Sequence, residues 1–138
     1  MFAINDFSTG YQILGLLHIL AAVVAVGPLF IYSSMQRAGA GAEVARLHMR
    51  LSLPALVLVW VLGMGMVGLS DGAIEMSQTW IVLSLISWVA MVAVSWFLIR
   101  PAVADAGESA RSKLAAGIGV THLLTVVVLY LMVFKPGY

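Results

Sequence analysis

Four uncharged apolar runs divide the chain, from Tyr11 to Ser33, Leu51 to Leu69, Trp80 to Ile99 and Leu114 to Phe134. Each has about the ~20 residues that, at ~1.5 Å per residue, cross a ~30 Å hydrocarbon core. The runs show no sustained alternation and are too long for single barrel strands. Helices are therefore predicted, because a helix pairs its own backbone groups where lipid offers no partner. Three short connections, Ser34 to Arg50, Ser70 to Thr79 and Arg100 to Lys113, make sequential helices antiparallel neighbours. The predicted fold class is thus all-α membrane, a four-transmembrane-helix up-down bundle forming one integral membrane domain over residues 1–138. Pro101 and Pro136 each follow a run and mark helix stops, whereas Pro54 lies one turn into the second run, where proline is tolerated near a helix start.

Charge sets the orientation. Arg37, Arg46 and Arg50 lie in the first connection and Arg100, Arg111 and Lys113 in the third, while the second holds Asp71 and Glu75. By the positive-inside rule the first and third connections are cytoplasmic, which places both termini on the outer, periplasmic side of a bacterial inner membrane. Only Lys135 dissents. Tyr11, Tyr32, Trp80, Tyr130 and Phe134, near run ends, fit interfacial aromatic belts.

Composition agrees. Of 138 residues 62% are hydrophobic and 9% charged, with a mean hydropathy of +1.06; soluble domains carry about 25% charged residues. A net charge of +1 without a Lys/Arg tract argues against nucleic acid as a partner. The absence of cysteine excludes disulfides, thiolate metal sites and cysteine nucleophiles. Met1 to Asp6 lacks the basic region of a signal peptide, and the first run is too long for a signal core. The first span is expected to be retained, although Ala38 to Ala42 imitates a small-residue cleavage site.

Polar residues inside a membrane are expensive, so His18 and His122 are the first candidates for function. Gly15, Ala21, Ala22 and Ala25 share the helical face of His18, and Ala115, Gly119 and Thr125 that of His122. Small residues on a face permit close helix packing or leave room for something bulky. Two readings follow. In one, neutral imidazoles of His18 and His122 hold a metal or haem iron within the bundle; in the other, each donates to a carbonyl or hydroxyl of a neighbouring helix. Counted from Tyr11 and Phe134, His18 lies ~10 Å and His122 ~18 Å below the outer surface, a mismatch that strains one shared iron. His48, between Arg46 and Arg50, is expected to be a solvated interfacial histidine.

Other features carry less chemistry. Ser84, Ser87, Met91 and Ser95 form a weakly polar stripe suited to gluing helices together. Gly63, Gly65 and Gly68 invite close approach of a neighbour. Met64 and Met66 point to different faces, which disfavours a methionine copper site. No run contains a carboxylate for a proton relay, and no nucleophile with its base, phosphate loop or zinc cluster is present. Arg37, Arg46, Arg50 and Arg100 set topology and bind lipid phosphate, or grip propionates.

Leu16-Leu17-His18-Ile19-Leu20, then Val26-Gly27-Pro28-Leu29-Phe30, then Arg50-Leu51-Ser52-Leu53-Pro54 leading to Gly63 and Gly68, with Trp80 and Arg100-Pro101-Ala102, resemble a superfamily of small four-helix bacterial membrane proteins. It includes the copper-resistance D domain, the membrane-bound protoporphyrinogen oxidase of the HemJ type and a related family of unknown function. The resemblance implies a haem b or other redox role, with His18 at the position of the oxidase's helix 1 histidine. Trp80 is followed by Ile81, Val82 and Leu83 where the oxidases carry a lysine, and their Asn-Glu-Pro segment at the start of the fourth helix is absent, which argues against oxidase activity. The unknown-function branch, with its Gly-Pro after the histidine, fits best. The expected function is a haem-binding or redox-accessory membrane protein; the alternatives are a non-catalytic subunit of a larger complex, or a homodimer, and a copper-handling protein.

Overall fold

A computed structural model describes residues 7–105 and 107–138. The N-terminal residues read against a signal peptide lie outside the described residues. Four long apolar helices make the fold: α1 (Thr9–Arg37), α2 (Gly41–Gly68), α3 (Thr79–Ala104) and α4 (Glu108–Phe134). The described residues contain no strand. The chain is a multi-pass membrane protein by the length and composition of these helices, and its large exposed side chains, such as Phe30, Phe97 and Leu123, face the lipid. Helix α1 packs chiefly on α2 and α3 on α4, so the bundle is two helical hairpins laid together. Antiparallel α1 and α2 run in register, with Gly10 against Leu69, Gly15 against Met66 and Gly63 against His18.

The helices outrun the apolar segments that predict them. The first connection shrinks to residues 38–40 and the third to 105–107. Hydropathy marks where lipid tails end, whereas the helix continues into the headgroup region on good helix formers such as Gln36, Arg37, Ala42, Glu43 and Arg46. Gly39 closes α1 in the left-handed region at φ +83°, and the Ala40 N–H bonds back to the Met35 carbonyl. Gln36 donates from Nε2 to the carbonyls of Ala102 (2.9 Å) and Asp105 (3.3 Å), satisfying acceptors at the end of α3.

Two of the prolines depart from the helix-end positions predicted for them. Pro136 does follow the end of α4, where Lys135 turns left-handed at φ 44°. Pro101, however, lies inside α3, and Pro54 lies inside α2, well past its start. A proline within a helix lacks the N–H owed to the carbonyl four residues earlier and crowds that carbonyl. In both helices the turn just before proline widens to a π turn, with the Leu53 N–H on the His48 carbonyl and the Arg100 N–H on the Ser95 carbonyl. Helix α1 instead breaks its regular ladder at Gly27-Pro28 and resumes at Leu29.

Three apolar clusters stack along the bundle. Leu29, Tyr32, Val44, Ile99 and Leu114 fill the arginine-rich end. Ala25, Ala55, Leu56 and Met91 meet in the middle, where Trp88 Nε1 donates to the Leu56 carbonyl at 2.8 Å. Ile74, Trp80, Ile81 and Leu131 close the end that carries the termini. The stripe Ser84, Ser87, Met91 and Ser95 is buried as expected of helix glue.

Gly117 measures how tight this packing is. A Cβ there would stand 2.7 Å from Ile99 Cγ1, whereas one at Gly119 would meet nothing within 4 Å. Gly117→Val is expected to destabilise the bundle by about 1–3 kcal/mol, and Gly119→Val by less than about 0.5 kcal/mol. Thermal unfolding of both variants in one detergent checks the difference.

Candidate functional site

The three histidines occupy three different environments. His48, expected to be solvated, is 1% exposed. Its neighbours Arg46 and Arg50 are each two residues away, roughly 200° around the helix, and both are exposed while His48 turns inward. Val44, His48, Ser52 and Leu56, four residues apart, form the buried face of α2.

A closed polar cluster surrounds His48. Nδ1 is 3.3 Å from Tyr32 Oη, which is 2.8 Å from Ser52 Oγ. Nε2 is 2.9 Å from Ser95 Oγ and 3.2 Å from the Ser95 carbonyl. A carbonyl only accepts, so Nε2 carries the proton of the neutral ring; Nδ1 then accepts from Tyr32 O–H, whose oxygen accepts from Ser52. Every member is buried and paired. The cluster joins α1, α2 and α3 at the segments their prolines disturb. Beside it lies a cavity of about 10 Å³ bordered by His48, Ser52, Ser95 and Thr121, room for a single water at most.

His18 is half-buried against α2. Its Nδ1 lies 2.8 Å from the Val59 carbonyl, and a Cβ on Gly63 would come within 3.2 Å of its Cε1. Gly63 is therefore the seat that lets the ring reach the neighbouring backbone. Because the carbonyl only accepts, Nδ1 holds the proton of the neutral ring and Nε2 presents a lone pair. That nitrogen has no partner among the described residues. An imidazole tethered through one nitrogen to a carbonyl, with the other open, is the arrangement that orients metal-binding histidines.

His122 is half-buried beneath Phe30, its ring stacked at 4.2 Å and 24°, and its buried Nε2 has no hydrogen-bond partner among the described residues. Phe30 stands twelve residues beyond His18 on α1, roughly 18 Å along the axis at ~1.5 Å per residue. Two nitrogens on one iron approach within about 4 Å, given metal–nitrogen bonds near 2.0–2.1 Å. The structure thus sets the two rings at different levels, the level of His122 being nearer that of Tyr32 and His48. Among the described residues no three His, Asp or Glu side chains gather as a metal site.

Compared with known proteins, the chain matches no family model, no curated protein and no solved structure.

His48→Ala leaves a cavity, takes the acceptor from the Tyr32 O–H and the donor from the Ser95 carbonyl, and leaves Tyr32 only Ser52. The expected loss is about 3 kcal/mol or more, against about 1–2 kcal/mol for Tyr32→Phe, which removes one hydroxyl. Thermal unfolding in detergent, with His18→Ala as the half-buried comparison, checks that order.

Proposed function

We propose that this chain is a haem-binding or redox-accessory membrane protein in which His18 offers Nε2 to a b-type haem iron. The observation that carries the reading is the seat of His18: Nδ1 tethered to the Val59 carbonyl over Gly63, with Nε2 open. The small-residue face and the sequence resemblance point the same way. The donor suits ferrous or ferric iron, which proximal histidine ligates. A macrocycle does not fit the interior, whose cavity at the helix junction is about 10 Å³, against the ~300 Å³ or more of an ordinary ligand pocket. The reading therefore sets the haem on the lipid-facing flank of the α1/α2 seam. His122, the second proposed ligand, serves the same iron only when supplied by another copy of the chain. Placement in a bacterial inner membrane, with the arginine-rich end cytoplasmic and the termini periplasmic, belongs to the same proposal.

A second reading, a non-catalytic subunit of a larger membrane complex, is favoured by the bare surfaces at Gly68 and Gly119, with Ala115 and Ala116 exposed beside the latter. Small residues allow close approach of another helix. Stoichiometric partners retained in mild detergent would favour it over the haem reading. Copper handling draws no support from the geometry at Met64 and Met66.

An ultraviolet-visible spectrum of protein purified from haem-replete cells is expected to contain a Soret band. His18→Ala is expected to abolish it. Gly63→Val, which crowds the ring without removing the ligand, should weaken haem affinity about 10–100-fold. A colourless preparation overturns the reading.

A further inference from the structure

At the arginine-rich end, the last turns of α3 and the first of α4 flank an open cavity of about 210 Å³ bordered by Phe97, Leu98, Pro101, Asp105, Ser109 and Lys113. Its chemistry is graded by depth. Phe97, 76% exposed, stands toward the membrane centre, and Asp105 lies eight residues further along the chain, roughly 12 Å if the helical rise held throughout. That span is of the order of the step from acyl chain to headgroup, since the polar zones add about 5–8 Å to each side of the core.

The two charges at the mouth are opposite and do not satisfy each other. Among the described residues the only ion pair is Arg46 with Glu43, at 3.0 Å. One oxygen of Asp105 accepts the Gly107 N–H at 3.1 Å, and among the described residues the other has no partner and Lys113 no carboxylate. Arg100, five residues before Asp105, lays its guanidinium 4.1 Å over the Trp96 ring. An ammonium, a hydroxyl and a carboxylate thus border one cavity, with lipid-exposed apolar surface below them.

We propose that this cavity binds the headgroup of a zwitterionic phospholipid bearing a primary amine, of the phosphatidylethanolamine class. Lys113 and Ser109 donate to the phosphate, the lipid ammonium donates to Asp105, and an acyl chain lies along Phe97 and Leu98. The arrangement discriminates by chemistry. A phosphatidylglycerol headgroup is net anionic and offers Asp105 only neutral hydroxyls, with no cation to pair with the carboxylate. The trimethylammonium of phosphatidylcholine has no N–H to donate.

Native mass spectrometry of the full chain, released from micelles containing equal amounts of the three lipids, tests this. Phosphatidylethanolamine is expected to be retained about three- to fivefold over each of the others, the scale of one solvent-exposed charge pair. Asp105→Asn should bring phosphatidylethanolamine and phosphatidylcholine to within about twofold of each other, and Lys113→Gln should lower retention of all three. Both side chains are exposed, so the variants keep the fold. Equal retention of the three lipids, a preference for phosphatidylglycerol, a preference unmoved by Asp105→Asn, or soluble phosphoethanolamine competing as well as the whole lipid would each overturn the proposal.

Discussion

Inside hydrocarbon no water takes up a stray N–H or C=O, so the backbone must be paired within the protein. Proline strains that requirement, and three of the four helices carry one within their length, Pro28, Pro54 and Pro101. Each removes a donor and displaces a carbonyl. The chain answers with a break at Gly27-Pro28 and two π turns, and the side chains at or near those irregular turns are Tyr32, His48, Ser52 and Ser95. The polar cluster follows from the same constraint. Irregular backbone at membrane depth survives only where protein surrounds it, and His48 donates to the carbonyl at which the π turn of α3 begins.

A saturated histidine and an open one do different work. His48 has a partner on each ring nitrogen and no solvent, so it joins three helices and has no lone pair left for a ligand. His18 spends one nitrogen on the Val59 carbonyl and keeps the other, while His122 lies under Phe30 with a buried nitrogen unpaired. Burial alone would rank His48 first as a site; hydrogen-bond accounting ranks it last. That accounting makes His18 the candidate ligand.

Cohesion between the helices relies on small residues, because lipid tails are as apolar as leucine and give helices no hydrophobic reason to meet. Ala21, Ala25, Ala55 and Gly117 are buried where helices touch, and Leu14 and Ile99 press on Gly65 and Gly117. Large residues such as Ile19, Phe30 and Phe97 are spent on the outer surface. The interior is accordingly dense, and the larger open space lies at the end of the bundle between α3 and α4.

The sequence by itself determined four spans, an all-helical bundle and the inward serine stripe, because solvation by lipid demands long uncharged runs and leaves a strong signal. The close approach expected at Gly63 is where His18 packs. The sequence misplaced His48, since proximity to Arg46 and Arg50 along the chain says nothing about which helical face a side chain takes; the spacing Val44, His48, Ser52 was the signal available. Two further matters were decided only in three dimensions. Pro54 and Pro101 are absorbed by π turns, in which the Leu53 N–H reaches the His48 carbonyl and the Arg100 N–H the Ser95 carbonyl, and residue type alone does not decide between that and a helix end. Whether His18 and His122 share a level depends on how far one helix slides along another, and that register is set by contacts such as Gly63 with His18 and Phe30 with His122, between residues far apart in the chain.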